Sequence, residues 1–189
     1  LKRASLLWLA FALPGCGSAD PATDPTTNIE ASLSTGALVL HAPTVRQGEA
    51  QGCGLACLDS LLRFHGAALD APGRERFSAE RLEKEPIPAG ELRDYLRGRG
   101  FTAVLVHGTL DHGHPRGLLG VLEEGLPAIV ELDTPRAHHY ALACGFDPER
   151  RLVIVMDPEE GLAGVGYDDF ERLWSSADHL MLVAAPGDH

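Results

Sequence analysis

The chain's 189 residues suffice for one good-sized domain with an appendage, hardly for two full cores. With 44% hydrophobic and 23% charged residues, wholesale disorder, collagen-like repetition and a multi-span membrane protein are excluded. Sixteen Lys and Arg against 27 Asp and Glu leave a formal charge of −11, which repels phosphate backbones. The densest basic stretch, Arg93 to Arg99, also carries Asp94, so nucleic acid is not an expected partner.

Lys2 and Arg3 precede an apolar run over residues 4–13 and then Pro14-Gly15-Cys16. A basic start, a short hydrophobic stretch and small residues at its end read as an export signal, too short to span a bilayer permanently. An ordinary signal would be cut near Gly17-Ser18-Ala19. The sharper reading is a bacterial lipoprotein signal over residues 1–15, because Leu13-Pro14-Gly15-Cys16 resembles a lipobox, which implies that Cys16 receives the lipid and becomes the mature N-terminus. Gly17, where an Asp would favour inner-membrane retention, leans towards the outer membrane of a Gram-negative cell. Residues 16–36 are rich in Ala, Asp, Pro, Thr and Ser and read as a flexible tether reaching roughly 25 Å. The folded domain is then expected over residues 37–189, held outside the cytoplasm.

Within it, residues 37–40 form a short apolar run. Residues 53–65 are apolar at helical spacing through Ala56, Leu58, Leu61 and Leu62, with Gly66 as a stop. Residues 67–73 read as loop and 77–83 as a short helix. Pro88-Ala89-Gly90 opens a second amphipathic helix with Leu92, Tyr95 and Leu96. Five segments (101–106, 128–132, 140–143, 152–156 and 180–184) read as strands, short and apolar between Gly, Pro or Asp. Residues 117–124 and 168–174 read as further helices. Helices early and strands late point to an α+β class.

Setting Cys16 aside leaves Cys53, Cys57 and Cys144, an odd number for an exported domain and a reason to look for a reactive thiol. Cys53 lies in Gln51-Gly52-Cys53-Gly54 at an expected helix N-terminus, where free amides and the helix dipole favour a thiolate. Cys57, one turn on, reads as a small buried hydrophobe. A thiolate nucleophile needs an imidazole, and the imidazole needs an orienting group. Of nine His, His107, His112 and His114 fall in a Gly-rich segment that reads as solvated loop. His138 and His139 open a strand, and only one of two neighbours on a strand can face the nucleophile. The next strand ends in Asp157-Pro158. A tight connection between the two makes a hairpin, with His139 and Asp157 near the same end.

Together these residues resemble the bacteriocin-processing, double-glycine cysteine peptidases of the papain-like superfamily. The resemblance rests on an ordered set of positions: Gln47 six residues before Cys53, Cys53-Gly54-Leu55-Ala56-Cys57-Leu58 running on to Gly66, His139-Tyr140 and then Gly145, and Asp157-Pro158 followed by Gly161, Phe170 and Trp174. It implies a papain-like fold with the nucleophile helix packed on an antiparallel sheet. It also implies roles: Cys53 as nucleophile, His139 as base and then acid, Asp157 orienting His139, and Gln47 with the Cys53 amide as oxyanion hole. His139 is selected over His138 because the family places its His directly before an aromatic residue.

The expected function is thus an envelope-anchored cysteine endopeptidase acting on a peptide or protein, without cofactor or metal. A non-catalytic peptide-binding module of the same fold and an acyl transferase using the same triad are the alternatives. A metal protein built on Cys53, Cys57 and His139 is disfavoured, because Cys53-x-x-x-Cys57 lacks the tighter Cys-x-x-Cys bite. Gly52-x-Gly54 is not followed by the residues of a phosphate-binding loop, so no nucleotide is expected.

Overall fold

The computed structural model describes Ile29 and residues 32–47, 52–82, 85–134 and 138–187. The expected export signal, Cys16 and most of the expected tether lie outside them. Seven strands form one sheet: β1 (Leu38–Val39), β2 (Phe101–His107), β3 (Ala128–Asp133), β4 (His138–Asp147), β5 (Leu152–Asp157), β6 (Gly161–Gly166) and β7 (Leu180–Pro186). Their order is β2-β7-β3-β4-β5-β6, with every pairing antiparallel. β1 pairs Leu38 with Phe146 and Val39 with Gly145. It occupies the edge of β4 that β3 leaves free beyond Ala128↔Ala143. The chain is already docked just before β1, where the Ser34 amide and hydroxyl donate to Asp147 at 2.8 and 2.7 Å.

The helices are α1 (Cys53–Phe64), α2 (Ala71–Arg76), α3 (Ala79–Leu82), α4 (Ala89–Gly98), α5 (Leu118–Glu123) and α6 (Tyr167–Ser176). Leu58, Leu61 and Leu62 of α1 and Leu92 and Leu96 of α4 pack with Ile129, Leu142, Ile154 and Met156 on one face of the sheet. Leu118 and Leu122 of α5 and Phe170 and Trp174 of α6 cover Val130, Ala141, Val153 and Val155 on the other. Cover on both faces explains why the central strands read as continuous apolar runs rather than alternating ones. The antiparallel pairing of the sheet, combined with helices in the same unit, bears out the α+β reading.

α1 is the element that places the thiol. Its apolar residues recur at 3.6-residue spacing and bury one stripe against β4, and the helix ends at His65 and at Gly66, whose φ is 72°. Leu58, Leu61 and Leu62 are each 0% exposed, worth about 1.5–3 kcal/mol apiece in burial. Leu61→Ala would cost about 2–5 kcal/mol. The buried Ser60 hydroxyl on this stripe donates to the Pro43 carbonyl at 2.6 Å, which ties the segment carrying Gln47 to the helix.

Two elements depart from the sequence expectation. Residues 67–73 are not all loop: α2 begins at Ala71 because the Asp70 carboxylate accepts from the Gly73 amide at 2.8 Å and Pro72 sits in the first turn. β6, Gly-Leu-Ala-Gly-Val-Gly, is a strand despite its three glycines because it pairs with β5 from Leu152↔Gly166 to Asp157↔Gly161. Tertiary pairing overrides its poor local propensity.

Candidate active site

A bulge between Ala143 and Gly145 interrupts the β4–β5 ladder. It turns Phe146 to the face of Ala141 and Ala143, although simple alternation would send it to the other. Gly145 is needed there, since a Cβ would stand 2.3 Å from the Leu38 carbonyl oxygen. Upstream of the bulge, alternation puts Tyr140 and Leu142 on the α1 face and His139 on the opposite one. β5 alternates likewise, which puts Asp157 on the His139 side. The last β4–β5 pair is Leu142↔Met156, so His139 and Asp157 are diagonal neighbours, with Ala141 leaving room between them. The His139 Nε2–H donates to Asp157 Oδ2 at 2.9 Å.

Cys53 reaches this pair from the other face because it is the first residue of α1 and sits beyond the end of the ladder. The His139 ring and the Tyr140 and Gly54 backbone amides lie around its sulfur and favour its charged form. With Nε2 engaged by Asp157, Nδ1 is the nitrogen left for the sulfur. Gly54 permits the approach: a Cβ there would lie 3.1 Å from Tyr140 Cδ2, pushing β4 away from the start of the helix.

Asp157 is itself held. Its Oδ1 accepts from the Glu159 and Glu160 amides at 2.7 and 3.2 Å. The Arg46 guanidinium donates to the carbonyls of the same two residues. Gln47 lies alongside, its amide donating to the Pro158 carbonyl at 3.0 Å and its Nε2 donating to Glu159 Oε1 at 2.8 Å. The structure therefore sets Cys53 beside the hydrogen-bonded His139–Asp157 pair and docks Gln47 on the Asp157 turn. His138 points elsewhere, with its Nδ1 3.4 Å from Glu131 Oε1. The Arg46 clamp and the Tyr140 amide were not anticipated; no sequence pattern marks a backbone donor.

The electrostatics follow from these contacts. Burial would raise the Cys53 pKa, but the His139 hydrogen bond, the two amides and the imidazolium charge outweigh it, and the thiol lies below its usual 9.0. Burial likewise works against the His139 cation, yet hydrogen bonds and charge from Asp157 and Cys53 lift its pKa from 6.5 to about 10. Desolvation opposes ionisation of Asp157 as well, and is overcome by His139 and the turn amides. These contacts favour a thiolate–imidazolium pair backed by a carboxylate. Cys57 is the reverse case: full burial and then the charges of Cys53 and Asp157 push its thiol well above 9.0. Among the described residues Cys53, Cys57 and Cys144 form no disulfide. Among the described residues no group of three or more His, Cys, Asp or Glu stands in a metal-holding arrangement.

A nucleophile helix set on an antiparallel sheet is the arrangement of the papain-like cysteine peptidases. Family comparison narrows the class: the profile of the Peptidase C39 family matches residues 41–188, and the chain belongs to that family and is a cysteine peptidase. Solved structures agree in fold. The peptidase domain of Streptococcus ComA, a bifunctional ABC transporter involved in a quorum-sensing pathway, superposes with a TM-score of 0.61 at 21% identity, over 77% of this chain and 99% of that one. A putative C39-like peptidase from Bacillus anthracis gives 0.62 at 14% identity, over 81% and 99%. A double glycine motif protease from an AMS/PCAT transporter, solved with its leader peptide, gives 0.58 at 18% identity, over 78% and 94%. No curated protein matches the chain in sequence.

Proposed function

We propose that the protein is an endopeptidase whose Cys53, His139 and Asp157 form the catalytic triad. The reading rests on one observation above the others: His139, hydrogen-bonded to the Asp157 carboxylate at 2.9 Å, lies close enough to Cys53 to lower its pKa. The Cys53 thiolate attacks the scissile carbonyl, and a thioester replaces the amide as His139 hands its proton to the leaving amine. His139, now neutral, takes a proton from water as the hydroxide equivalent opens the thioester and restores the thiolate. Asp157 keeps the tautomer that presents Nδ1 to the sulfur. The Cys53 amide and the second N–H of the Gln47 amide group stabilise the oxyanion, while Glu159 holds the first. A peptide substrate fits the family, and the AMS/PCAT relative binds a leader peptide. Mass-spectrometric profiling of a peptide library with wild type and Cys53→Ala tests the reading: wild type should cleave and the variant should not. Equal cleavage by both would remove the assignment.

We further propose that Cys16 carries a lipid that anchors the domain to the cell envelope, outside the cytoplasm. Support comes from Lys2-Arg3, the apolar run and Leu13-Pro14-Gly15-Cys16. The two acyl chains of such an anchor give stable attachment where one would be marginal. Metabolic labelling with a fatty acid should tag the wild type and miss Cys16→Ala. An unlabelled mature chain beginning at Asp20 would contradict it.

A further inference from the structure

The turn after β5 serves two groups at once. The Glu159 backbone amide donates to Asp157 Oδ1 at 2.7 Å, while the Glu159 carboxylate accepts from Gln47 Nε2 at 2.8 Å. The segment carrying Gln47 is fastened to the same turn by its backbone, the Gln47 amide donating to the Pro158 carbonyl at 3.0 Å. The Arg46 guanidinium donates to the Glu159 and Glu160 carbonyls. Gly161 makes room for that guanidinium: its φ is 89°, and a Cβ there would stand 3.0 Å from Arg46 Nη2. These contacts fix where the Gln47 side chain starts but not where its amide group ends, because several rotatable bonds lie between. Glu159 is the contact at the far end. A carboxylate only accepts hydrogen bonds, so it favours the carboxamide orientation that turns the nitrogen towards it and repels the one that turns the oxygen.

We propose that Glu159 is a positioning residue for the oxyanion hole: its carboxylate holds the Gln47 carboxamide in the orientation that leaves the second N–H for the developing oxyanion. The inference rests on the peptidase reading. Glu159 acts through Gln47 rather than on the reacting atoms. The oxyanion forms only after attack, so the contact that Glu159 prepares is made in the transition state and not with bound substrate. Its loss therefore lowers kcat and leaves KM nearly unchanged. Deleting an oxyanion donor outright costs on the order of 10²–10³ in rate; a donor that is present but no longer held costs a part of that, about tenfold. Substituting the side chain keeps the backbone amide that supports Asp157, so the chemistry of the thiolate and that of the oxyanion can be read separately.

The test compares wild type, Glu159→Ala, Glu159→Gln, Gln47→Ala and the double variant Gln47→Ala/Glu159→Ala. The probes are a panel of acetylated tripeptide aldehydes, internally quenched peptides of the same sequences, and iodoacetamide. The Cys53 sulfur adds reversibly to an aldehyde carbon, which sets the former carbonyl oxygen in the oxyanion position with no leaving group. Glu159→Ala should lower kcat about tenfold with little change in KM, and weaken aldehyde capture by a similar factor. Glu159→Gln keeps an acceptor and should recover most of the loss. Iodoacetamide forms no oxyanion and should alkylate Cys53 in Glu159→Ala at the wild-type rate; a slower rate would mean that the turn under Asp157 had shifted, and counts against the proposal. In the Gln47→Ala background the Glu159→Ala change should have no further effect. An undiminished further loss there, or unchanged kcat and aldehyde capture in Glu159→Ala, overturns the proposal and leaves the peptidase reading standing. If the wild type hydrolyses none of the peptides, the peptidase reading fails instead and the aldehydes decide the role of Glu159. Weaker capture in Glu159→Ala then upholds it, and equal capture, or none by the wild type, ends it.

Discussion

Replacing Asp157 by Asn alters one interaction and keeps the shape. The amide oxygen can still accept from the Glu159 and Glu160 amides, which hold the turn at 2.7 and 3.2 Å. The amide nitrogen then faces His139 Nε2 and demands an acceptor there. That favours the neutral tautomer with its proton on Nδ1, pointing at the sulfur, and disfavours the imidazolium. The lost bond is 2.9 Å long between side chains 15% and 14% exposed. A hydrogen bond between charged groups in such a setting contributes about 1.5–3 kcal/mol, or about 10- to 150-fold in the population of the ion pair. The assay is the second-order rate of iodoacetamide alkylation across pH, with the adduct located on Cys53 by mass spectrometry. Wild type should react fast well below pH 9.0, the ordinary thiol value. Asp157→Asn should shift the profile upward and slow the reaction near neutrality by about 10- to 150-fold, with turnover falling at least as far. An unchanged profile in a folded variant would refute the ion-pair reasoning.

Cys53→Ser should abolish hydrolysis. Cys57→Ala, which trims a side chain that is 0% exposed, should keep the turnover number while lowering the melting temperature, by about 1–2 kcal/mol of stability. Gly54→Ala sets a methyl 3.1 Å from Tyr140 Cδ2 and should cost about 1–3 kcal/mol; alkylation of Cys53 should slow as the Tyr140 amide is pushed off the sulfur. Hydrolysis should follow a bell in pH, rising as Cys53 ionises below 9.0 and falling at about 10 as His139 loses the proton it gives to the leaving group. Stability has matching edges. His139 contributes fully below its unfolded 6.5 and the gain is lost as pH rises through about 10. Asp157, its pKa lowered, contributes above 3.8 and the gain is lost as pH falls through its lower folded value. Thermal melts across pH check both edges.

The helix that carries Cys53 was legible because its apolar spacing and Gly66 stop are local signals. The hairpin that carries His139 and Asp157 was legible because two apolar strands flank a short polar connection. The missed elements were those whose cause is not local. β6 has glycine at three of six positions and becomes a strand only because β5 offers it an edge. Alternation alone places His139 on the face away from α1. Only the early end of the β4–β5 ladder lets Cys53 meet it, and no periodicity reveals where a ladder ends.

The central claim is that one thiol, Cys53, performs the attack. Its most direct measurement is the site of covalent capture: the intact protein is treated with a peptidyl acyloxymethyl ketone, and the adduct is counted and mapped by mass spectrometry. One adduct per chain on Cys53 is expected, with hydrolysis lost in step with labelling and both suppressed in His139→Ala. A label on Cys57 or Cys144, or hydrolysis that continues after Cys53 is fully modified, would contradict it.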